Sequence, residues 1–109
     1  MSLANIRQKA KLKPPIMVIY GPGGIGKTTF GATMNKPIIV QAEDGIGKIE
    51  CPHFPVAKSY NEFVSNLKAL IDDESEFKTV VIDSLDWLET LMHEHVCEKN
   101  GWRDISAPA

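Results

Sequence analysis

The run Gly21-Pro22-Gly23-Gly24-Ile25-Gly26-Lys27-Thr28 constrains this chain more tightly than any other segment. Glycines at 21, 23, 24 and 26 remove the β-carbons that would hold the backbone away from a large anion, so amide N–H groups can turn inward together. Such a loop needs a strand before it and a helix after it. Ile16-Met17-Val18-Ile19-Tyr20 is a continuous apolar run, as expected of a strand buried on both faces of a parallel sheet. From Gly26 to about Met34 the residues suit a short helix, with Phe30 and Met34 on one face, and Asn35-Lys36-Pro37 ends it because proline cannot continue the hydrogen-bond ladder.

The implied ligand is a nucleoside triphosphate, ATP with magnesium. The loop from Gly21 through Pro22, Gly23, Gly24 and Ile25 to Gly26 would wrap the phosphates, aided by the positive end of the following helix. Lys27 would reach the β and γ phosphates and the Thr28 hydroxyl would ligate magnesium, with Thr29 helping at the α phosphate. Gly45-Ile46-Gly47-Lys48 echoes part of this pattern, but Ala42 replaces the leading glycine and Ile49 the final hydroxyl residue. It is not a second P-loop.

Further along, Ile38-Ile39-Val40-Gln41-Ala42 reads as a strand leading into Glu43-Asp44-Gly45. The stretch from Gly45 to Lys58 is loop-rich, with a brief strand expected at Val56-Ala57. Ser59 and Glu62 have capping-box spacing, and Phe63, Val64, Leu67, Leu70 and Ile71 follow at helical intervals. Thr79-Val80-Val81-Ile82-Asp83 predicts a third buried strand. Ser84 is positioned to cap a long helix on which Leu85, Leu88, Met92 and Val96 share a face, and Asn100-Gly101 supplies its stop. The order β-α-β-α-β-α specifies an α/β fold with a parallel sheet.

Asp83 ends an apolar strand, where parallel α/β sheets place their ligands. Following the P-loop, it fits a Walker B carboxylate, which holds magnesium, usually through water. Hydrolysis also needs a group that orients or deprotonates the attacking water. The residue after Asp83 is Ser84, so Glu43, at the end of the preceding strand, is the candidate.

These segments carry a resemblance. Ile38-Ile39-Val40-Gln41-Ala42-Glu43 with Val80-Val81-Ile82-Asp83-Ser84-Leu85 resembles the RecA-like ATPases. More closely, Tyr20 to Phe30, Val81 to Glu89 and Val96 to Gly101 are similar to the phage nucleotide-binding proteins of the AAA ATPase clan. The likeness covers residues 14–101. It implies a three-layer, RecA-like P-loop NTPase in which Glu43 is catalytic together with Lys27, while Thr28 and Asp83 hold magnesium. It also implies a role in phage DNA recombination or replication, with single-stranded DNA or phage recombination proteins as partners. Proteins of this kind continue well past Gly101 and place a later strand between the P-loop strand and the Walker B strand. That strand, the later polar sensor and any DNA-contacting segment have no counterpart here, so the expectation is a C-terminally truncated sheet whose open edges invite homo-oligomers.

Composition excludes several classes. With 109 residues, 43% hydrophobic and 24% charged, the chain suits one soluble domain. Residues 1–13 form a basic segment, 14–101 the nucleotide-binding domain and 102–109 a tail. No run approaches the ~18 apolar residues that span a membrane, so the expected location is the cytoplasm. His93, His95 and Cys97 are spaced by two on a helix and diverge by roughly 200° per step, which disfavours a zinc site. Trp87 and Trp102 read as helix and loop packing. Two other functions stay open, a P-loop small-molecule kinase and a nucleotide-binding fragment or interaction module without turnover. A kinase wants lid arginines, and only Arg7 and Arg103 exist. A GTPase fits less well: Asp44 to Gly47 matches D-x-x-G, but Asn35-Lys36-Pro37-Ile38 lacks the guanine-reading aspartate.

Overall fold

The computed structural model describes residues 13–73, 76–104 and 106; most of the basic N-terminal segment and part of the tail lie outside them. Five elements follow one another: α1 (Lys27–Ala32), β1 (Pro37–Gln41), α2 (Tyr60–Asp72), β2 (Thr79–Asp83) and α3 (Leu85–Asn100). β1 and β2 pair in parallel from Pro37 opposite Thr79 to Gln41 opposite Asp83. The Ala42 N–H, donating to the Asp83 carbonyl at 2.7 Å, carries the ladder one step further. This is an α/β arrangement around a two-stranded parallel sheet.

The sheet sorts its side chains by alternation. Val40 and Ala42 join Ala57, Phe63 of α2 and Leu91 of α3 in the buried core, ringed by Phe54, Tyr60, Leu67, Leu70 and Leu88. Val81, opposite Ile39, points the other way and packs on Gly31 of α1. Contact is so close there that a β-carbon at position 31 would sit 2.8 Å from Val81 Cγ1. Position 31 therefore has a packing reason to be glycine. Burying a side chain such as Phe63 contributes about 2 kcal/mol.

The helix ends behave largely as their sequences dictate. Ser59 Oγ accepts from the Glu62 N–H at 3.1 Å, while Glu62 Oε2 accepts from the Lys58 N–H at 3.3 Å. Gly101 adopts a left-handed conformation (φ 68°), and the Trp102 N–H donates to the Cys97 carbonyl while the Gly101 N–H donates to that of Glu98. Together these two bonds satisfy carbonyls that the end of α3 would leave unpaired. Ser84 stands at the N-cap of α3, but its hydroxyl makes no capping bond.

Four expectations need correcting. Residues 16–20 do not form a strand: they run as unpaired chain, with Ile16 97% and Tyr20 91% exposed. A strand buried on both faces needs neighbours, and among the described residues β2 pairs only with β1. Between β2 and Ile16–Ile19 lies an open trough of about 400 Å³, also walled by Phe30, Met34 and Leu85. For the same reason Val80 and Ile82 are 48% and 39% exposed rather than buried. Secondly, α1 stops at Ala32, short of Met34. Thirdly, the inward residue of α3 is Leu91, whereas Leu85 and Met92 are exposed. Finally, no strand forms at Val56-Ala57. Instead the loop lies along the outer edge of β1, with an Ile39–His53 bridge and an Ala57 N–H donating to the Gln41 carbonyl at 3.0 Å.

Among the described residues, no helix is long and apolar enough to cross a membrane.

Candidate functional site

The P-loop runs from the end of the 16–20 segment into α1. Gly24 and Gly26 have φ of 81° and 98°, where a side chain would be strained. Gly26 is the N-cap of α1 and carries no side chain to cover the helix end. Helical geometry leaves the N–H groups of Lys27, Thr28 and Thr29 without intrahelical acceptors. Ile25 lies over Gly21, its Cγ2 only 3.4 Å from where a β-carbon would stand. The Lys27 ammonium curls back over the loop, donating to the Pro22 carbonyl at 2.9 Å and to the carbonyl of Gly21.

The two halves of the site meet at one bond. Thr28 Oγ1 donates to Asp83 Oδ2 at 2.9 Å, across 55 residues of sequence. β2 delivers Asp83 to this point because register ends its pairing there, opposite Gln41. The start of β2 is tied down as well: Thr79 Oγ1 donates to the Asn35 carbonyl at 2.8 Å, and the Lys78 N–H to that of Lys36 at 2.9 Å.

Glu43 emerges two residues beyond Gln41, at the same end of the sheet, and is half-buried. A β-carbon at Gly45 would lie 3.7 Å from Asp83 Oδ2 and 3.8 Å from Glu43 Oε1. Both carboxylates therefore come within 4 Å of a single point. Thr29 is exposed in the first turn of α1.

The donor set suits magnesium. Hydroxyl and carboxylate oxygens are the hard ligands that ion prefers, and neighbouring ligands on an octahedron with 2.0–2.1 Å bonds sit about 2.9 Å apart. Thr28 Oγ1 and Asp83 Oδ2 already have that separation.

Two residues escaped the sequence reading. Gln41 is only 3% exposed, and its Nε2 donates to the Phe54 carbonyl at 2.7 Å, fastening the loop to β1 directly opposite Asp83 in register. Its Oε1 has no partner among the described residues. A single amide inside an otherwise apolar strand was the available signal. The other is Gly45, whose position between two carboxylates no spacing rule announces. His95 packs on Tyr60 with ring centroids 4.8 Å apart, His93 lies 3.5 Å from Glu89, and burial pushes the Cys51 thiol above its ordinary pKa.

A family profile described as an AAA domain matches residues 13–107, nearly the whole chain. The chain belongs to this AAA domain family. Membership makes it a nucleotide-binding, ATPase-like domain, in keeping with the P-loop geometry. A similar protein is the SPbeta prophage-derived uncharacterized protein YorG of Bacillus subtilis (strain 168), 26% identical over 92 residues. That alignment takes in 81% of this chain and 28% of the relative, so the chain spans less than a third of that protein's length. No solved structure matches the chain significantly.

Proposed function

We propose that this AAA domain binds ATP with magnesium and hydrolyses it as a RecA-like protein of phage or prophage origin, acting in DNA recombination or replication. The observation that carries the reading is the Thr28–Asp83 hydrogen bond, which joins the P-loop to the Walker B strand. Backbone N–H groups of the loop receive the phosphates. Lys27 exchanges the carbonyls of Gly21 and Pro22 for β and γ phosphate oxygens, and its charge stabilises the transferring phosphoryl group. Thr28 and Asp83 would hold magnesium, which would supply positive charge to offset that of the phosphates. Glu43 accepts a proton from the attacking water or orients it, from a position shared with Asp83 beside Gly45. A helix lies on either side of the sheet, which favours a three-layer RecA-like arrangement, and single-stranded DNA or phage recombination proteins are the partners that this reading implies.

A second reading is a nucleotide-binding module without turnover, favoured by the unpaired 16–20 segment that leads into the loop. Phosphate release decides between them. It should be measured with and without single-stranded DNA on wild type, Lys27→Ala and Glu43→Gln. Turnover in wild type that both variants abolish supports the ATPase. ATP binding without turnover in any of the three supports the module.

A further inference from the structure

We propose that Gly45 sets the size of the space shared by the Asp83 and Glu43 carboxylates, so that a missing side chain there admits hydrated magnesium beside the triphosphate. The inference rests on the reading of Thr28 and Asp83 as the magnesium-holding pair.

Glycines earn their places for recognisable reasons, and the usual ones fail at position 45. Gly24 and Gly26 have positive φ, whereas Gly45 does not. Gly31 is forced by Val81, 2.8 Å from its would-be β-carbon, but at Gly45 the nearest atoms would stand at 3.7, 3.8 and 4.0 Å, ordinary van der Waals contact. Neither backbone strain nor crowding forbids a side chain there.

What distinguishes the position is the identity of those atoms. They are Asp83 Oδ2, Glu43 Oε1 and Glu43 Cγ. The first is the same oxygen that accepts the Thr28 hydroxyl. A β-carbon at position 45 would stand beside both carboxylates, so a side chain there would take up space next to them. Magnesium gives up water reluctantly, so a site built on few protein ligands must leave room for several ordered waters that bridge to neighbouring carboxylates. A methyl group would displace part of that water, and a branched side chain would displace more. Because the contact distances are ordinary, a small substitution changes the space without disturbing the fold.

The test uses Gly45→Ala and Gly45→Val in the full chain. ATP affinity is measured in magnesium and in EDTA, and manganese binding to the ATP complex is followed by electron paramagnetic resonance. ATP affinity in EDTA should stay within about twofold of wild type, while manganese affinity falls about tenfold or more in the valine variant and less in the alanine variant, the scale seen when outer-sphere groups are altered. Wild-type manganese affinity in both variants would overturn the proposal. Should the valine variant unfold, the alanine variant decides by the same two readouts. Failure of wild type to bind ATP under either condition would overturn the nucleotide reading and this proposal with it. Normal ATP binding with indifference to residue 45 would overturn the proposal alone.

Discussion

Thr28 in the first turn of α1 and Asp83 at the end of β2 share a hydrogen bond of 2.9 Å, which ties the glycine-rich loop and its helix to the end of the sheet. Hydrogen bonds to charged groups contribute about 1.5–3 kcal/mol when well sheltered, and this one is part-buried. Thr28→Val, which keeps shape and removes the hydroxyl, should therefore destabilise the free protein by about 1 kcal/mol. Urea unfolding measures it, and an unchanged midpoint would show that the bond contributes nothing without ligand.

Gly31 of α1 lies so close to β2 that a β-carbon there would stand 2.8 Å from Val81 Cγ1. Gly31→Ala should cost about 1–3 kcal/mol, because overpacking forces α1 and β2 apart. Val81→Ala in the same protein should restore much of that loss, since the clash is with the valine methyls. The double-mutant cycle should show a coupling of about 1 kcal/mol or more. Additive effects would mean that α1 does not rest on Val81.

The two serine caps should respond unequally. Ser59→Ala removes an acceptor for the Glu62 N–H and should cost about 1 kcal/mol. Ser84→Ala removes a hydroxyl that makes no capping bond, so thermal unfolding should scarcely move. Equal losses would contradict the difference between the two helix starts.

The exposed apolar segment should govern solubility rather than stability. Ile16 and Val18 are 97% and 67% exposed and face the trough beside β2. Unpaired edges and apolar patches of this kind promote self-association. Ile16→Lys with Val18→Lys should reduce light scattering at high concentration while changing the unfolding midpoint by less than about 0.5 kcal/mol in free-energy terms, as for surface substitutions generally. Marked destabilisation would show that the segment is packed in solution.

Much of this architecture could be read from residue order, because local signals were strong. The positions of β1 and β2, the Ser59 cap and the Gly101 stop follow from local patterns, whereas the Thr28–Asp83 meeting spans 55 residues and was implied only by assigning both residues to one magnesium site. The 16–20 segment was harder. A continuous apolar run announces that partners are needed but not where they lie, and among the described residues β2 offers no strand beside it. On α3, steps of three and four residues are both helical, so Leu88 could lead equally to Leu91 or Met92; packing against Phe63 and Val40 selected Leu91. The Glu43–Gly45–Asp83 arrangement was half-visible. The carboxylates could be named from strand ends, but the glycine between them appears only when the loop is folded.

The most direct test of the central claim is an equilibrium titration of ATP into wild type, Lys27→Ala and Asp83→Ala, each with magnesium and with EDTA. Wild type should bind, and magnesium should tighten the complex. Lys27→Ala should lose binding in both conditions, while Asp83→Ala should lose only the magnesium-dependent gain. Absence of ATP binding by wild type, or a magnesium effect that survives in Asp83→Ala, would contradict the account.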